Sequence, residues 1–491
     1  MSQTQKTNWG QFIPLVTVFF FWGFVAASND ILIPVFKKAF DLTQGQSQFV
    51  SLAFYIAYTV GSIIYMLISM IMGKDLINKI GYKNSLSLGL LISALGTLLF
   101  IPAANTGSYP LMLAGLFTVA LGFSLQQTVA NPLAIALGSV QTGSQRLTLA
   151  GGINNLGTTI GPLIVAYAIF GSSSEGDSNL SIESVKIPYL CLGLAFLAAA
   201  IFLKFSSLPS HPEQEVEEEE TYFGLENEKK PSVVKKQDRS SALKYPQLVL
   251  GMVAIFLYVG VEVSTVSNLP AYMENELGFT ISQVAPYVSL YWASMMIGRW
   301  GGAAEAFGLD KSKTLILKFV APYLAFGVFL LVNKIAGHDL QPFYFYAVII
   351  LVLIIADIST KGNPARMLLT FSIIGIIALL IGMNTKGLVS VYAITSVGLF
   401  CSTLWPCIFA LAINGLGKNT SQGSSFLIMM IMGGGIVSYL QGLLADSTTI
   451  HFSYIACVLC FAFLVFYAIT TPMLLKKQGI DLNDIKSEGG H

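Results

Sequence analysis

Two carboxylates stand where carboxylates are expensive. Asp30 interrupts the apolar run FFFWGFVAASNDILIPVF, and Glu262 interrupts VAIFLYVGVEVSTV. An acid inside a bilayer-spanning segment costs roughly 2.5 kcal/mol or more, so it is read first as a functional residue. In low dielectric a carboxylate can take up and release a proton near neutral pH, which is what proton coupling requires. Sodium coupling would call on carboxylate and carbonyl oxygens instead, and these residues leave that open. Polar neutral side chains accompany the acids. Ser124, Gln127 and Asn131 fall at i, i+3 and i+7, with Gln126 beside them; Asn154 and Asn155 follow in the next apolar segment. Tyr258, Glu262 and Thr265 share one helical face. Amides donate and accept hydrogen bonds at once, which suits the hydroxyls of a neutral polyol. Trp22, Tyr55, Tyr58, Tyr291, Trp292 and Trp405 are stacking faces for a pyranose ring. The competing readings are hydrogen bonding between helices for the amides and packing or interface anchoring for the rings.

These residues need a scaffold, and composition says which. Of 491 residues, 54% are hydrophobic and only 11% charged, against about 25% charged in a soluble protein. The apolar residues come in long blocks, near 12–36, 47–72, 84–101, 109–137, 147–170, 188–205, 246–268, 282–304, 314–333, 342–357, 367–383, 387–414, 424–445 and 452–475. Crossing a bilayer takes about 20 such residues. The pattern predicts an all-α membrane protein with about fourteen segments, the 342–357 block being the shortest. With the N-terminus cytoplasmic, only Lys37, Lys38, Lys186, Lys334 and Lys386 of the 27 Lys and Arg fall in outer loops; the excess of positive charge inside sets that orientation. Both termini are then expected to be cytoplasmic. The first block is too long for a signal-peptide core and is expected to stay as a membrane helix.

Several chemistries drop out. A net charge of +1 argues against binding polyanions such as nucleic acid. The five cysteines all lie in apolar blocks and are expected to pack; Cys457 and Cys460 form a CxxC without a second pair or a histidine cluster. None of the four histidines falls inside a helix core, which removes a histidine proton relay. With no catalytic nucleophile, phosphate loop or metal cluster in the sequence, neither an enzyme nor a resident cofactor is expected.

The chain divides at its one long polar stretch. Residues 206–245 carry an acidic run followed by a basic one and read as a solvated cytoplasmic linker. Before it lies a six-helix bundle (1–205), after it a larger bundle (246–475) and a cytoplasmic tail (476–491). The halves echo one another: ANPLAIALGSVQTGSQRLTLAGGINNLG in the first and WPCIFALAINGLGKNTSQGSSFLIMMIMGGG in the second. Each places a proline in a helix (Pro132, Pro406), then a Gly- and Ser-containing loop, then a glycine cluster. Two parallel six-helix repeats around a midplane site are the major facilitator architecture. Correspondence between the halves makes 314–357 an added pair of helices. Gly23, Ala26, Ala27 and Asp30 mark one face of the first helix, expected to line a water-filled cavity, with close helix packing as the alternative. In that arrangement Asp30 is expected to face Gln127, Asn131 and Glu262. Arg299 and the loop residues Asn78, Lys79 and Gly81 are expected to act as gating or inter-helix contacts.

Four motifs in order, NDILIP, QTVANP, GRWGG and SSFLIMMIMGGGIV, resemble the fucose–proton symporter family of the major facilitator superfamily. The resemblance covers nearly the whole chain except the 314–357 pair and the linker. It implies that Asp30 serves sugar binding and proton coupling. That family's fourth-helix acid is replaced here by Gln127, which cannot titrate, while Glu262 stands where the fucose permease has an amide. The combination is more similar to the glucose/galactose transporter branch. The expectation is therefore a hexose importer in a bacterial inner membrane, coupled to H⁺ in preference to Na⁺ and working as a monomer by alternating access. Its sugar-binding residues would be Asp30, Gln126, Gln127, Asn131, Asn154, Tyr258, Glu262 and Trp405, its ion-coupling residues Asp30 and Glu262, and its gating residues Arg299 and Lys79. A drug efflux antiporter and a non-transporting sugar sensor are the rival readings.

Overall fold

A computed structural model describes residues 8–72, 80–137, 143–170, 182–209, 239–302, 310–416 and 419–480. Lys79 and most of the 206–245 linker and 476–491 tail lie outside the described residues. Each of the fourteen expected blocks is helical. They are α1 (Trp9–Ala39), α2 (Phe49–Met72), α3 (Tyr82–Leu98), α4 (Tyr109–Ala136), α5 (Gly143–Phe170), α6 (Lys186–Phe205), α7 (Pro246–Ser267), α8 (Ile281–Gly302), α9 (Lys311–Ile335), α10 (Tyr346–Thr360), α11 (Pro364–Asn384), α12 (Gly387–Cys401, continued by Leu404–Ile413), α13 (Thr420–Met429 and Gly433–Ser447, joined by a 3₁₀ turn) and α14 (Ile455–Lys477). Twelve of these segments are long and apolar enough to cross a membrane. The two that fall short on apolarity are α5 and α8. These two pack against each other across the seam between the halves, so their small and polar side chains meet protein rather than lipid.

Starts and stops follow local chemistry. Asn8 caps α1 by accepting the Gln11 N–H, and Ser108 caps α4 ahead of Pro110. Asp310 and Asn363 do the same for α9 and α11. Such caps satisfy backbone donors that have no partner inside the helix.

Small residues then set how closely helices approach. A Cβ on Gly157 would fall on the Phe20 carbonyl, one on Gly161 on the Phe24 carbonyl, and one on Gly23 on the Asn154 carbonyl. The backbones of α1 and α5 therefore touch. The small-residue face of α1 is a packing face, which corrects the expectation that it lines a cavity. In the second half Gly433 meets the Phe256 carbonyl of α7, and Gly398 meets Tyr291 of α8.

The pairings repeat. In the first half α1 packs on α5, α2 on α4, α3 on α4 and α3 on α6. In the second, α7 packs on α13, α8 on α12, α11 on α12 and α11 on α14. The pattern closes without α9 and α10, which lie outside it. Lys318 on α9 and Asp357 on α10 form an ion pair of 3.0 Å, each side chain only 11% exposed. Pro322 of α9 sits against Gly301 of α8, anchoring the pair to the bundle.

Gly157→Leu should separate α1 from α5. Overpacking of this kind costs about 1–3 kcal/mol, read as a lower Tm of the purified protein. Gly327, which has open space around the position of a Cβ, provides the control: Gly327→Ala should leave Tm unchanged or slightly raised.

Candidate functional site

Asp30 is 3% exposed, and both of its carboxylate oxygens are engaged. Trp292 Nε1 on α8 donates to Oδ2 at 2.8 Å, and Ser267 Oγ at the end of α7 donates to Oδ1 at 3.1 Å. Both donors belong to the second half. Among the described residues these hydrogen bonds of Asp30 cross the seam, and neither of them reaches Gln127 or Asn131 of α4. The reason is packing: α1 is pressed onto α5 through its glycine face, and α8 packs against both helices. A charge removed from water needs donors wherever it ends up, and the adjacent second-half helices supply them.

A cluster of rings and one further acid surrounds this point. Glu262 is half-buried on α7, and its backbone carbonyl accepts from Tyr291 Oη at 2.7 Å. Tyr258, one turn earlier, donates to the Cys401 carbonyl at 3.1 Å, and its ring stands 6.3 Å from that of Trp405. Tyr55 of α2 lies against Gly434 of the second half, its ring 6.3 Å from that of Tyr58. Arg299 lies near the end of α8. Its guanidinium bonds Asn155 Oδ1 of α5 at 3.2 Å and the Ser402 carbonyl at 3.3 Å. Arg299 thereby ties the two halves together near the end of α8.

The amides separate into two groups. Gln126 points into the first bundle, where its Oε1 accepts from Trp22 Nε1 at 3.0 Å and its Nε2 donates to Ser93 Oγ at 3.2 Å. Trp22 is occupied in the same contact. Ser124 likewise bonds the Tyr58 carbonyl at 2.9 Å. Asn154 is half-buried and donates to the Phe19 carbonyl at 2.9 Å, leaving its oxygen available. Gln127 and Asn131 are half-buried, and among the described residues their side chains make no hydrogen bond. Adjacent residues of one helix thus differ in kind: Gln126 is bound up inside the bundle, and Gln127 is free to meet a ligand.

Sequence reasoning did not assign Ser267 as a partner of Asp30, and it placed Trp292 only as a stacking face. It also missed a polar seam farther along, near the loop after α1. There the short helix Gln44–Ser47 meets Asn268 and Asp446 of the second half: Gln44 Nε2 donates to Asn268 Oδ1 at 2.9 Å, and the backbone N–H groups of Gln44 and Gly45 donate to Asp446 at 2.7 Å each. Lys38 pairs with Glu274 at 2.7 Å beside them. In sequence these are ordinary polar residues at helix ends, and nothing in their spacing pairs them.

Gln126→Leu should strand the Trp22 N–H, at a cost of about 1–3 kcal/mol for a buried unpaired donor. Gln127→Leu should change stability by no more than about 0.5 kcal/mol. Thermal unfolding of the two purified variants distinguishes the roles; equal losses of Tm would contradict the division.

Known proteins share this arrangement of helices. The model of the Major Facilitator Superfamily matches residues 15–355. The chain is 33% identical over 470 residues to a glucose/galactose transporter of Brucella abortus biovar 1 (strain 9-941), covering 95% of each protein. It is 27% identical to the L-fucose-proton symporter of Escherichia coli (strain K12), covering 93% of this chain and 92% of the symporter. Among solved structures, the crystal structure of the Major Facilitator Superfamily transporter FucP in the outward conformation is similar with a TM-score of 0.59 and 26% identity, over 94% of this chain and 98% of that one.

Proposed function

The chain belongs to the Major Facilitator Superfamily, and on that premise we propose that it is a secondary active importer of a hexose of the glucose or galactose type, within the fucose–proton symporter family. It is a multi-pass membrane protein and a transporter, not an enzyme. Import is driven by symport of H⁺, with Na⁺ as the alternative ion. The termini face the cytoplasm of a bacterial inner membrane, which follows from the scarcity of Lys and Arg in the opposite loops. The end carrying the Gln44–Ser47 helix is then the outer one, and the protein works as a monomer.

The observation that carries this reading is a buried carboxylate on one bundle whose two hydrogen-bond donors belong to the other. Alternating access needs a site at the seam that both bundles feel, and Asp30 occupies that position. Gln127, Asn131 and Asn154 offer amides from the first bundle, while Tyr258, Glu262 and Trp405 offer an acid and ring faces from the second. Hydroxyls that need both donors and acceptors are matched by this set. Gln126 is given a supporting role, holding Trp22. Arg299 and Lys79 serve gating, with Arg299 bridging α5 and α12. The preference for H⁺ rests on the ligands of Asp30. An indole N–H and a hydroxyl donor solvate a carboxylate, whereas a sodium ion would need several oxygens directed at it. An amide-lined first bundle also fits a sugar better than an amphipathic drug.

Proteoliposomes offered a panel of labelled sugars, under a pH gradient or a sodium gradient separately, test the reading. A hexose should accumulate under the pH gradient alone. Accumulation under sodium alone would move the coupling ion to Na⁺, and accumulation of no sugar under either gradient would refute the symporter reading. Two variants locate the ion. Asp30→Asn should reduce accumulation at least tenfold while sugar counterflow continues, because the loss of a required titrating group uncouples transport without removing the amides. Glu262→Gln should impair both measurements through weaker sugar binding. If both variants accumulate sugar normally, neither acid carries the ion.

A further inference from the structure

The polar seam on the outer face and the Asp30 site are one hydrogen-bonded chain. Ser267 Oγ donates to Asp30. The Ser267 carbonyl accepts from Gln48 Nε2 at 3.3 Å, and the same Gln48 amide reaches Asn268 Oδ1 at 3.4 Å. Asn268 Oδ1 also accepts from Gln44 Nε2 at 2.9 Å, and Gln44 Oε1 accepts from Lys37 Nζ at 2.8 Å. Ser51 Oγ lies 3.4 Å from Ser267 Oγ. Apart from the Lys37–Gln44 bond, every link passes from one bundle to the other. Ser267 and Asn268 are consecutive residues at the end of α7, so one reaches the acid while its neighbour reaches the gate.

We infer that Ser267 is a positioning residue through which the charge on Asp30 holds the outer face closed, and that neutralising Asp30 releases that face to open. The part of this inference that makes the coupling cation the neutralising agent rests on the function proposed above. Hydrogen bonds to an ionised acceptor are roughly twice as strong as neutral ones. Ser267 and Trp292 donate to Asp30 only while the bundles are together. The ionised form therefore favours closure, and the neutral form loses that preference. Any group that binds one state better must shift the equilibrium toward it. Other charges stand nearby: Lys37 at the far end of the chain, the Lys38–Glu274 ion pair, Asp446 on the Gln44 and Gly45 N–H groups, Glu262 on α7 with its carbonyl on Tyr291, and Arg299 on Asn155. Of these acids, Asp30 alone is joined to Ser267. A cation arriving from outside would thus open the outer face, and the sugar, bridging the two bundles, would be required to close it again. That order keeps the cation from crossing alone.

The test reads the gate directly. Spin labels are placed on the exposed positions Gln46 and Thr448, one on each bundle at this face, in a Cys191→Ser background, the other cysteines being buried. Pulsed electron-resonance distances are then compared among the parent, Asp30→Asn, Ser267→Ala and Ser267→Thr, with sugar counterflow and uptake recorded in parallel. Asp30→Asn and Ser267→Ala should each raise the long-distance population relative to the short one by about tenfold, as expected for the loss of a hydrogen bond to a charged group. Ser267→Thr, which keeps the hydroxyl, should restore the parent distribution. Trp292→Phe removes the other donor and should act like Ser267→Ala, so the inference stays testable if one variant fails to fold. Distances in Asp30→Asn and Ser267→Ala that superimpose on the parent would overturn it. Unmoved distances in the variants, with cation-driven uptake by the parent intact, defeat this inference alone; shifted distances in the variants, with no cation-driven sugar uptake by the parent, defeat the transport reading and leave the gate linkage standing.

Discussion

A carboxylate in the middle of a membrane protein must find donors, and Asp30 finds both of its own in the opposite bundle. That constraint organises much of the remaining structure. It requires α1, α7 and α8 to converge, and it places the point of convergence on the seam between the halves. A charge satisfied within its own bundle would be indifferent to opening and closing. One satisfied across the seam, as Asp30 is by Trp292 and Ser267, is sensitive to both.

Convergence in turn depends on how closely helices can approach. Between α1 and α5 the contact is backbone to backbone, because Gly157, Gly161 and Gly23 leave no Cβ in the way. The hydrophobic effect contributes little between helices in lipid, so close van der Waals packing of this kind carries much of the association. The equivalent contact in the second half runs through Gly433 onto α7. α9 and α10 are accommodated outside this pattern. Their mutual ion pair, Lys318 with Asp357, keeps two charges satisfied at the side of the bundle without drawing on the central site.

Much of the fold was legible in the sequence. Apolar blocks must become helices in a bilayer because only a helix satisfies its own backbone there, and among the described residues the expected blocks are helical, twelve of them long and apolar enough to cross a membrane. The repeat was visible in the order of Pro132 and Pro406, loops and glycine clusters, and it recurs as matched pairings. The site was only partly legible. Asp30, Glu262, Arg299 and the amides stood out because polar side chains are rare in such segments. Their orientation did not: Gln126 and Gln127 are neighbours of the same type, and only the direction each points about the helix axis separates a bundle-holding amide from a free one. The small face of α1 was misread for a related reason. A row of Gly and Ala suits a cavity wall and a packing face equally, and the choice depends on what stands opposite.

The sequence by itself determined that this is a helical, two-bundle membrane protein with acids and amides in its interior, because burial cost and the bilayer's thickness act on each segment alone. The tertiary structure decided which side chains meet. Asp30 with Trp292 and Ser267, Arg299 with Asn155, and Gln44 with Asn268 and Asp446 are separated by 144 to 402 positions in the chain. No local periodicity relates residues that far apart. They are brought together only when the glycine faces dock and the two bundles close on one another.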